Sequence, residues 1–590
     1  MKQIVRYITY LLIFIVPATA YAGITIYVNQ VALDSKGPKM AVICADNPLT
    51  NRNTFSLIDA VSGKIVFTGA TGIAMQVEEW LPGKFCYQAN FSPFTKSGQY
   101  KIAVAIAGTT YTSAAFTIGD NALAMLTIPS ILHYYNKQRA NTAQELAADK
   151  QLLLFGSNTT VDLRGGWCDA SGDVSKYFSH LAYANFMSPQ QIPLVTWSLA
   201  NATENLAHLL TQQGIKDAME QEALWGADYL MRSLSPDGYF YMTVFSYFKP
   251  NPGERRVVGL LANSVTTSDY QCAFREGGGM AIAALARVAR WQQHGDFTNS
   301  EYLAAAKRAF DHLLKNNTRY TDDGKENIID DYCALMAATE LWMTTDDSLY
   351  SNEARKRARH LIKRMTPEGY FIANDANRPF WHASDAGLPV IALARYLKKE
   401  TANNLRQPVL VVIKQALDYQ LRINRTVSNP FDYARQTFLY QNNTATGFFI
   451  PHNNETGWWW QGENARLASL AAMAIAGGRL VYPAKGGWGI KDSLAAFASQ
   501  QLSWIMGCNP YDMCFMYGFG KQNVPYMASQ FGHGSEKGGI SNGITGKDGN
   551  GDGSGIDFKI HADGNEWRWT EQWLPHAAWF LVAVTAMAGE

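Results

Sequence analysis

The chain is poor in charged residues. Lys, Arg, Asp and Glu make up 17% of its 590 residues, whereas about a quarter is usual in globular proteins. The 51 basic and 50 acidic residues nearly cancel, and neither sign forms a continuous block. Because nucleic acids and anionic membranes attract proteins through clustered basic residues, we predict neither of them as a partner.

Cysteines are few as well, and their spacing excludes the common zinc motifs. The chain has seven of them, at positions 44, 86, 168, 272, 333, 508 and 514. None forms a CxxC pair or lies beside His at zinc-ligand spacing, and an odd number argues against a small disulfide scaffold. Cys44 and Cys86 fall in strand-like segments, where an oxidising compartment permits a bridge between them but does not require it.

After residue 22 the chain lacks any apolar run of about 20 residues, the length that a transmembrane helix needs. Before that point, Lys2 and Arg6 precede an apolar stretch at 10–16, and Ala20-Tyr21-Ala22 offers a small-x-small cleavage pattern. We therefore predict a signal peptide at residues 1–22. The mature protein is expected to be secreted or periplasmic, with no membrane association once the peptide is removed.

Residues 23–118 have the pattern of a β-sandwich. Short segments rich in β-branched and aromatic residues occur at 24–28, 39–43, 55–58, 64–67 and 100–104, with turn residues such as Ser62-Gly63 between them. Short strands at this spacing in fewer than 100 residues predict a sandwich of immunoglobulin-like size.

Residues 122–590 have a helical period instead. The pattern predicts about twelve helices, near 123–137, 190–208, 214–233, 275–293, 300–315, 326–344, 350–364, 383–399, 404–423, 461–478, 490–506 and 571–588. Many are rich in Ala, which permits close helix packing. So many helices in one uninterrupted stretch indicate a toroid of paired helices, with functional residues in the loops between them.

Two carboxylates lie four positions apart in the loop Gly165-Gly166-Trp167-Cys168-Asp169-Ala170-Ser171-Gly172-Asp173. Flanking glycines let the backbone turn tightly enough to direct both acids to one point. One carboxylate can then take a proton from water while the other orients that water. Asp-rich loops also serve as simple turns, so the loop alone leaves both interpretations open.

A third acid, Glu571, lies among three tryptophans in Trp567-Arg568-Trp569-Thr570-Glu571-Gln572-Trp573-Leu574-Pro575-His576. An apolar setting raises the pKa of a carboxyl and favours its acid form. The alternative is that Glu571 opens the last helix behind Thr570 as N-cap and interacts with the helix dipole.

These segments together resemble glycoside hydrolase family 9. The loop at 165–173 is similar to that family's Gly-Gly-Trp-Tyr-Asp-Ala-Gly-Asp motif, and Trp504-Ile505-Met506-Gly507-Cys508-Asn509-Pro510 with Tyr517-Gly518-Phe519-Gly520 resembles its late glycine-rich signature. Glu571 matches the position of the family's acid. The opening Tyr27-Val28-Asn29-Gln30-Val31 is similar to the immunoglobulin-like module that often precedes such catalytic domains.

The resemblance implies an (α/α)6 barrel that hydrolyses β-1,4-linked glucans or their oligosaccharides with inversion. It implies Asp173 as general base, Asp169 as its partner in holding water and Glu571 as general acid. No cofactor is required by this chemistry, and the partner is a β-linked oligosaccharide or polysaccharide. In inverting enzymes the acid and base stand about 6.5–9.5 Å apart to admit water.

Two departures from the family bear on these roles. Two residues, Ser171-Gly172, separate Ala170 from Asp173 where the family has one, which affects which aspartate is nearer the water. The family's Pro-His-His-Arg segment is replaced by Val524-Pro525-Tyr526-Met527-Ala528, so contacts to a polymer are missing. The alternatives are an exo-acting β-glucosidase or exo-β-glucosaminidase on short oligomers, and a carbohydrate-binding protein without catalysis.

Aromatic and amide side chains supply the candidate sugar contacts, because rings stack on pyranose faces and amides bond hydroxyls. They are Trp167, Trp381, His382, Trp458, Trp459, Trp569 and Gln572. Three consecutive tryptophans at 458–460 cannot all point the same way, so at least one is expected in the core.

A weak calcium candidate occurs at Asp548, Asn550 and Asp552, whose oxygens alternate as in a calcium loop. Lys559 stands where the closing Glu of such a loop is expected. A Gly/Asp-rich connector is the alternative interpretation.

Overall fold

The computed structural model describes residues 23–49, 54–106, 108–180, 188–261, 264–454, 460–527, 529, 532–561 and 566–589. The signal peptide predicted at 1–22 therefore lies outside the described residues. Among the helices in these ranges, none combines the length and the apolar character needed to cross a bilayer.

The first unit is a sandwich of two β-sheets, as the strand pattern predicted. Its strands in the described ranges are β1 (Ile24–Tyr27), β2 (Ala32–Asp34), β3 (Met40–Ala45), β4 (Thr54–Asp59), β5 (Ile65–Ala70), β6 (Phe85–Asn90), β7 (Gly98–Ile106), β8 (Thr109–Thr112) and β9 (Phe116–Gly119). One sheet has the order β1-β3-β6 and the other β2-β9-β7-β4-β5, with β8 paired to β7. In β4, Phe55 and Leu57 are fully buried and Ser56 between them is partly exposed, so one face of the strand packs on the core.

A disulfide joins Cys44 to Cys86. The two residues face each other in the antiparallel register of β3 and β6. The bridge that the sequence left open is therefore present. The other five cysteines are free and buried.

The second unit is mostly helical. In the described ranges its helices are α1 (Ala122–Gln138), α2 (Ala143–Asp149), α3 (Ile192–Asn205), α4 (Ala207–Gln212), α5 (Lys216–Ser233), α6 (Gly278–Val288), α7 (Asn299–Tyr320), α8 (Ile328–Thr345), α9 (Ser348–Lys363), α10 (Leu388–Leu397), α11 (Asn403–Asn424), α12 (Asn464–Val481), α13 (Asp492–Ile505), α14 (Trp567–Thr570) and α15 (Leu574–Ala588). Each of the twelve predicted helices overlaps one of these.

Six helices pack side by side in a closed ring, each against the next and the last against the first: α3, α6, α8, α10, α12 and α15. These helices are buried on nearly every side, and in α15 nearly every residue is both apolar and buried. A helix that is apolar all round belongs in an interior. The helices packed outside the ring, such as α7 and α9, bury only one face.

Short strands also occur in the second unit, so the expectation of helices alone was incomplete. They are β10 (Leu152–Leu154), β11 (Thr160–Val161), β12 (Lys176–Tyr177), β13 (Thr243–Phe245), β14 (Arg256–Leu261), β15 (Val265–Thr267), β16 (Gln436–Tyr440) and β17 (Asn443–Gly447). Strands β10 to β15 form one sheet. Segments of two to six residues are too short to show a period of two in the sequence.

Trp80 packs the sandwich against the helical unit. Its ring lies 4.4–6.4 Å, between centroids, from five rings of that unit, namely Phe431, Tyr433, Phe448, Phe449 and Trp504. Beside it, the Gln30 amide donates to the Asp512 carbonyl oxygen at 2.9 Å. Aromatic packing of this extent makes the sandwich a fixed part of the fold.

Candidate active site

The loop at 165–173 is anchored by its tryptophan. Trp167 is fully buried, and its indole N–H donates to Glu222 Oε1 at 2.8 Å. Gly166 has φ +71°, and a Cβ there would lie 2.9 Å from the ring of Tyr229, so a glycine is needed. Trp167 was a candidate sugar contact, but its position in the core leaves it no surface to offer a ligand.

Asp173 is surrounded by hydroxyl and amide donors. Its Oδ1 accepts hydrogen bonds from the backbone N–H and the hydroxyl of Ser175 and from the hydroxyl of Ser246, each at 2.9 Å. The Tyr177 hydroxyl donates to Oδ2 at 3.3 Å. Four contacts from three side chains and one backbone N–H hold the Asp173 carboxyl in one orientation.

Asp169 has a different environment. It is 1% exposed, and its Oδ2 lies 2.8 Å from Nε2 of His180. Its Oδ1 is buried and has no hydrogen-bond partner within the described residues. Burial raises the pKa of Asp169, which the His180 contact lowers in part.

The acid Glu571 is brought to this loop by backbone pairing. The Ser171 N–H donates to the Gln572 carbonyl at 2.9 Å, the Gln572 N–H to Ser171 Oγ at 3.0 Å, and the Leu574 N–H to the Asp169 carbonyl at 3.1 Å. These bonds join segments that lie about 400 residues apart in the chain. As a result Glu571 Oε1 lies 3.9 Å from the position a Cβ would take on Gly172.

Glu571 precedes the last helix rather than beginning it. Its backbone is extended, with φ −69° and ψ 134°, and α15 starts at Leu574 with Pro575 in its first turn, where proline fits best. The Trp573 indole N–H donates to Glu571 Oε2 at 2.5 Å. Burial raises the pKa of Glu571 well above its usual value. The negative charges of Asp173 and Asp169 raise this pKa further, whereas the hydrogen bond from Trp573 lowers it in part.

The other candidate sugar contacts are mostly internal. Trp381, His382 and Trp569 are at most 2% exposed, and the Trp569 N–H donates to Thr545 Oγ1 at 2.8 Å. The Gln572 amide accepts from the Glu536 N–H at 2.9 Å and donates to the Glu536 carbonyl at 3.2 Å. Trp458 and Trp459 lie outside the described residues. The structure therefore brings the three acids together, while the side chains of Trp381, His382, Trp569 and Gln572 are internal.

The calcium candidates each have a protein partner. Asp548 pairs with Lys559, Asp552 Oδ1 accepts from the Ser554 hydroxyl at 2.7 Å, and the Asn550 amide donates to Ser554 Oγ at 3.2 Å. The side chains are thus used within the connector. These contacts give the calcium prediction no support.

At the loop at 165–173, the side chains of Cys168, Glu145 and His533 lie close together. His533 Nε2 lies 2.9 Å from Glu145 Oε1, and the Cys168 thiol lies 3.8 Å from the same oxygen. Within the described ranges this is the one set of three His, Cys, Asp or Glu side chains with donor atoms this close together. We assign no metal to it, because the ion pair already uses the oxygen that a metal would bind.

Several residues at the site were missed in the sequence. They are Ser175, Tyr177, His180, Ser246 and Trp573. Tyr177 and His180 follow the catalytic loop closely but share no pattern with it, and Ser246 comes from the end of β13. Only Trp573, two residues after Glu571 in a Trp-rich stretch, carried a visible signal.

Two family models match the chain. A family model described as "Glycosyl hydrolase family 9" matches residues 127–551, and one described as "Cellulase N-terminal ig-like domain" matches residues 22–109.

Two relatives are similar in sequence. A cellodextrinase of Butyrivibrio fibrisolvens is 24% identical over 385 residues, which cover 58% of this chain and 63% of that protein. Endoglucanase 3 of Oryza sativa subsp. japonica is 22% identical over 375 residues, or 62% of this chain and 68% of that one. The match thus spans less than two thirds of the cellodextrinase.

Two solved structures are similar over nearly the whole chain. The Bacteroides ovatus GH9 has a TM-score of 0.62 and 18% identity, covering 95% of this chain and 98% of that one. The GH family 9 endoglucanase J30 has a TM-score of 0.64 and 17% identity, covering 94% and 99%. At such identities the likeness shows the shared fold.

Proposed function

The chain belongs to glycosyl hydrolase family 9, a family of glycosidases, and on that premise we propose that it hydrolyses β-1,4-glucosidic bonds in glucans or their oligosaccharides with inversion. The observation that supports this most is the backbone pairing of the loop at 169–173 with the segment at 571–574. That pairing brings a carboxyl of raised pKa to two carboxylates, the set that inverting hydrolysis uses.

In this proposal Glu571 is the general acid. Its raised pKa keeps the proton on the carboxyl near neutral pH, so that it is available for the oxygen of the leaving sugar. As the glycosidic bond breaks, Glu571 becomes the carboxylate that the Trp573 N–H already contacts.

We further propose that Asp169, and not Asp173, takes the proton from water. Asp173 Oδ1 accepts three hydrogen bonds, so this oxygen is already engaged by the protein. Asp169 keeps one oxygen without a partner among the described residues, and burial raises its pKa. Both properties suit a general base. The roles implied by the family motif are thereby exchanged, and Asp173 orients the loop and the water.

The ring of six helices, with other helices packed outside it, supports an (α/α)6 barrel as the architecture. The proposed reaction uses only carboxyl groups and water, so no cofactor enters it. Export through the N-terminal segment stays part of the proposal, and it places the enzyme in the periplasm or outside the cell.

We propose action on the ends of short oligomers rather than within a polymer. Met527, which replaces a family polar residue, lies against the catalytic loop, with its Sδ 3.8 Å from Ser171 Oγ. Trp567 and Trp573 lie parallel at 6.3 Å, and the Trp573 N–H contacts Glu571. Bulky apolar groups beside the acids would collide with a continuing chain. One relative is named a cellodextrinase and the other an endoglucanase, so the two names cover both action on short oligomers and cleavage within a polymer.

Product analysis tests the proposal. The protein is incubated with cello-oligosaccharides, mixed-linkage glucan oligomers and glucosamine oligomers, and the first anomer released is identified by NMR. We expect the α-anomer from a β-linked substrate. A β-anomer as first product would reject inversion, and no turnover of any of these substrates would favour a binding protein without catalysis.

A further inference from the structure

We propose that three stacked rings, Tyr177, His180 and Trp573, form one device that positions all three catalytic carboxyl groups, with His180 as its central positioning residue. The inference rests on the proposed function, since it assigns how the acids of that reaction are held. None of the three rings was singled out for such a role in the sequence.

The stack is defined by its ring geometry. The His180 imidazole lies 3.8 Å from the Tyr177 ring at an interplanar angle of 29°. On its other face, the Trp573 ring lies 5.0 Å away at 22°. All three residues are at least nine-tenths buried. An imidazole held between two aromatic faces has little freedom to rotate.

Each ring contacts a different carboxyl. The Tyr177 hydroxyl donates to Asp173 Oδ2 at 3.3 Å, His180 Nε2 lies 2.8 Å from Asp169 Oδ2, and the Trp573 N–H donates to Glu571 Oε2 at 2.5 Å. The rings follow one another as Tyr177, His180 and Trp573, so the carboxyl groups that they contact follow in the order Asp173, Asp169 and Glu571. The packing of the three rings thus connects the loop at 169–173 to the segment at 571–574. Backbone hydrogen bonds connect the same two segments.

The central contact has the most direct consequence. Asp169 is buried and its Oδ1 has no partner among the described residues, so within them His180 supplies its one side-chain hydrogen bond. A donor on Oδ2 fixes the carboxylate and leaves Oδ1 as the oxygen that takes the proton in the proposed reaction. Without His180 the carboxylate is expected to rotate, and a general base that is displaced by even about 1 Å loses much of its efficiency.

The protonation of Asp169 also depends on this contact. The titratable groups that act on Asp169 are His180, which lowers its pKa, and Asp173, which raises it. Asp169 in turn acts on Tyr134 and Glu571, which face it from α1 and from the segment before α15. Removing the His180 donor leaves burial and the like charge unopposed, so the pKa of Asp169 rises. The acid limb of kcat/KM must then move to higher pH.

Two substitutions separate the contribution of the His180 ring from that of its hydrogen-bond donor. His180→Phe keeps a ring in the stack and removes the N–H, whereas His180→Gln keeps a neutral N–H donor and removes the ring. His312→Phe is the matched control, because His312 also stacks on a tyrosine, Tyr320, and bonds its hydroxyl at 2.7 Å, but on the outer helix α7. Each variant is measured in the full chain for kcat, KM and the pH profile of kcat/KM, with thermal unfolding followed by circular dichroism.

For His180→Phe we expect kcat to fall by about ten- to a hundredfold, as for a lost hydrogen bond to a charged group, with KM nearly unchanged. The acid limb should move to higher pH. His180→Gln keeps a donor but loses the charge interaction, which is the larger of the two ways in which His180 lowers the pKa of Asp169. It should therefore lose less kcat and move its acid limb less far than His180→Phe, and His312→Phe should match the wild type in both.

The inference is overturned if His180→Phe keeps wild-type kcat and pH profile, or if His180→Gln moves the acid limb as far as Phe does. Should His180→Phe not fold, His180→Gln decides alone: an acid limb at higher pH than in the wild type supports the role of the His180 contact, and an unmoved limb with wild-type kcat rejects it. A wild type without turnover on any β-linked oligomer refutes the proposed function instead, so the two failures are distinguishable.

Discussion

The bond between Trp573 and Glu571 makes a prediction about pH. The indole N–H stabilises the ionised carboxylate, so Trp573→Phe should raise the pKa of Glu571 further. A hydrogen bond to a charged group contributes about 1.5–3 kcal/mol, and one pH unit corresponds to about 1.4 kcal/mol. We therefore expect the alkaline limb of the kcat profile to move to higher pH by about one to two units, because the acid form of Glu571 persists further.

The assay is the pH dependence of kcat with a soluble cello-oligosaccharide, recorded by reducing ends at saturating substrate. Trp197→Phe is the control, since Trp197 is equally buried and donates its N–H to a carboxylate, Glu340 Oε1, at 3.2 Å within the helical ring. It should leave the alkaline limb in place. An alkaline limb that stays or moves down in Trp573→Phe would show that Glu571 is not the group that must be protonated.

Four further predictions concern the acids, the cleft and the sandwich. Glu571→Gln removes the proton donor and should lower kcat on cello-oligosaccharides by about 10²–10⁴, but less on aryl glycosides with activated leaving groups; equal losses on both would remove Glu571 from the role. Asp169→Asn should impair steady-state turnover more than Asp173→Asn, and the reverse order would restore the roles implied by the family motif. Viscosity of a soluble cellulose derivative should fall slowly relative to the reducing ends released, whereas a rapid fall would show an open cleft. Trp80→Ala should destabilise the protein by about 3–5 kcal/mol and lower its Tm in calorimetry, unless the sandwich folds without its aromatic contacts.

The helices were predictable because each is long enough for its period to appear. The predicted helix at 461–478 and the observed α12 at Asn464–Val481 differ by three residues at either end. The last helix shows where this fails: it was predicted from 571 but begins at Leu574. Gln572 and Trp573, just before it, pair with Ser171 and Ala170, and no local pattern reports a partner about 400 residues away.

The site was predictable where chemistry and spacing coincide, and not where the fold alone brings groups together. Asp169, Asp173 and Glu571 were found through their motifs. His180 was not, because a single imidazole eleven residues after an aspartate has no characteristic spacing. Trp167, Trp381 and Trp569 were assigned to the cleft because tryptophan suits both sugar stacking and core packing, and only their burial distinguishes the two.

The last helix, α15, packs against α3 and so closes the ring of six helices. Glu571, the proposed acid, lies just before α15. A ribosome that stops before about residue 571 thus releases a chain that carries Asp169 and Asp173 but neither the acid nor the helix that completes the ring. During synthesis the chain must therefore be made through α15 before the proposed activity is possible. Truncation or proteolysis that removes residues 571–588 is expected to abolish this activity.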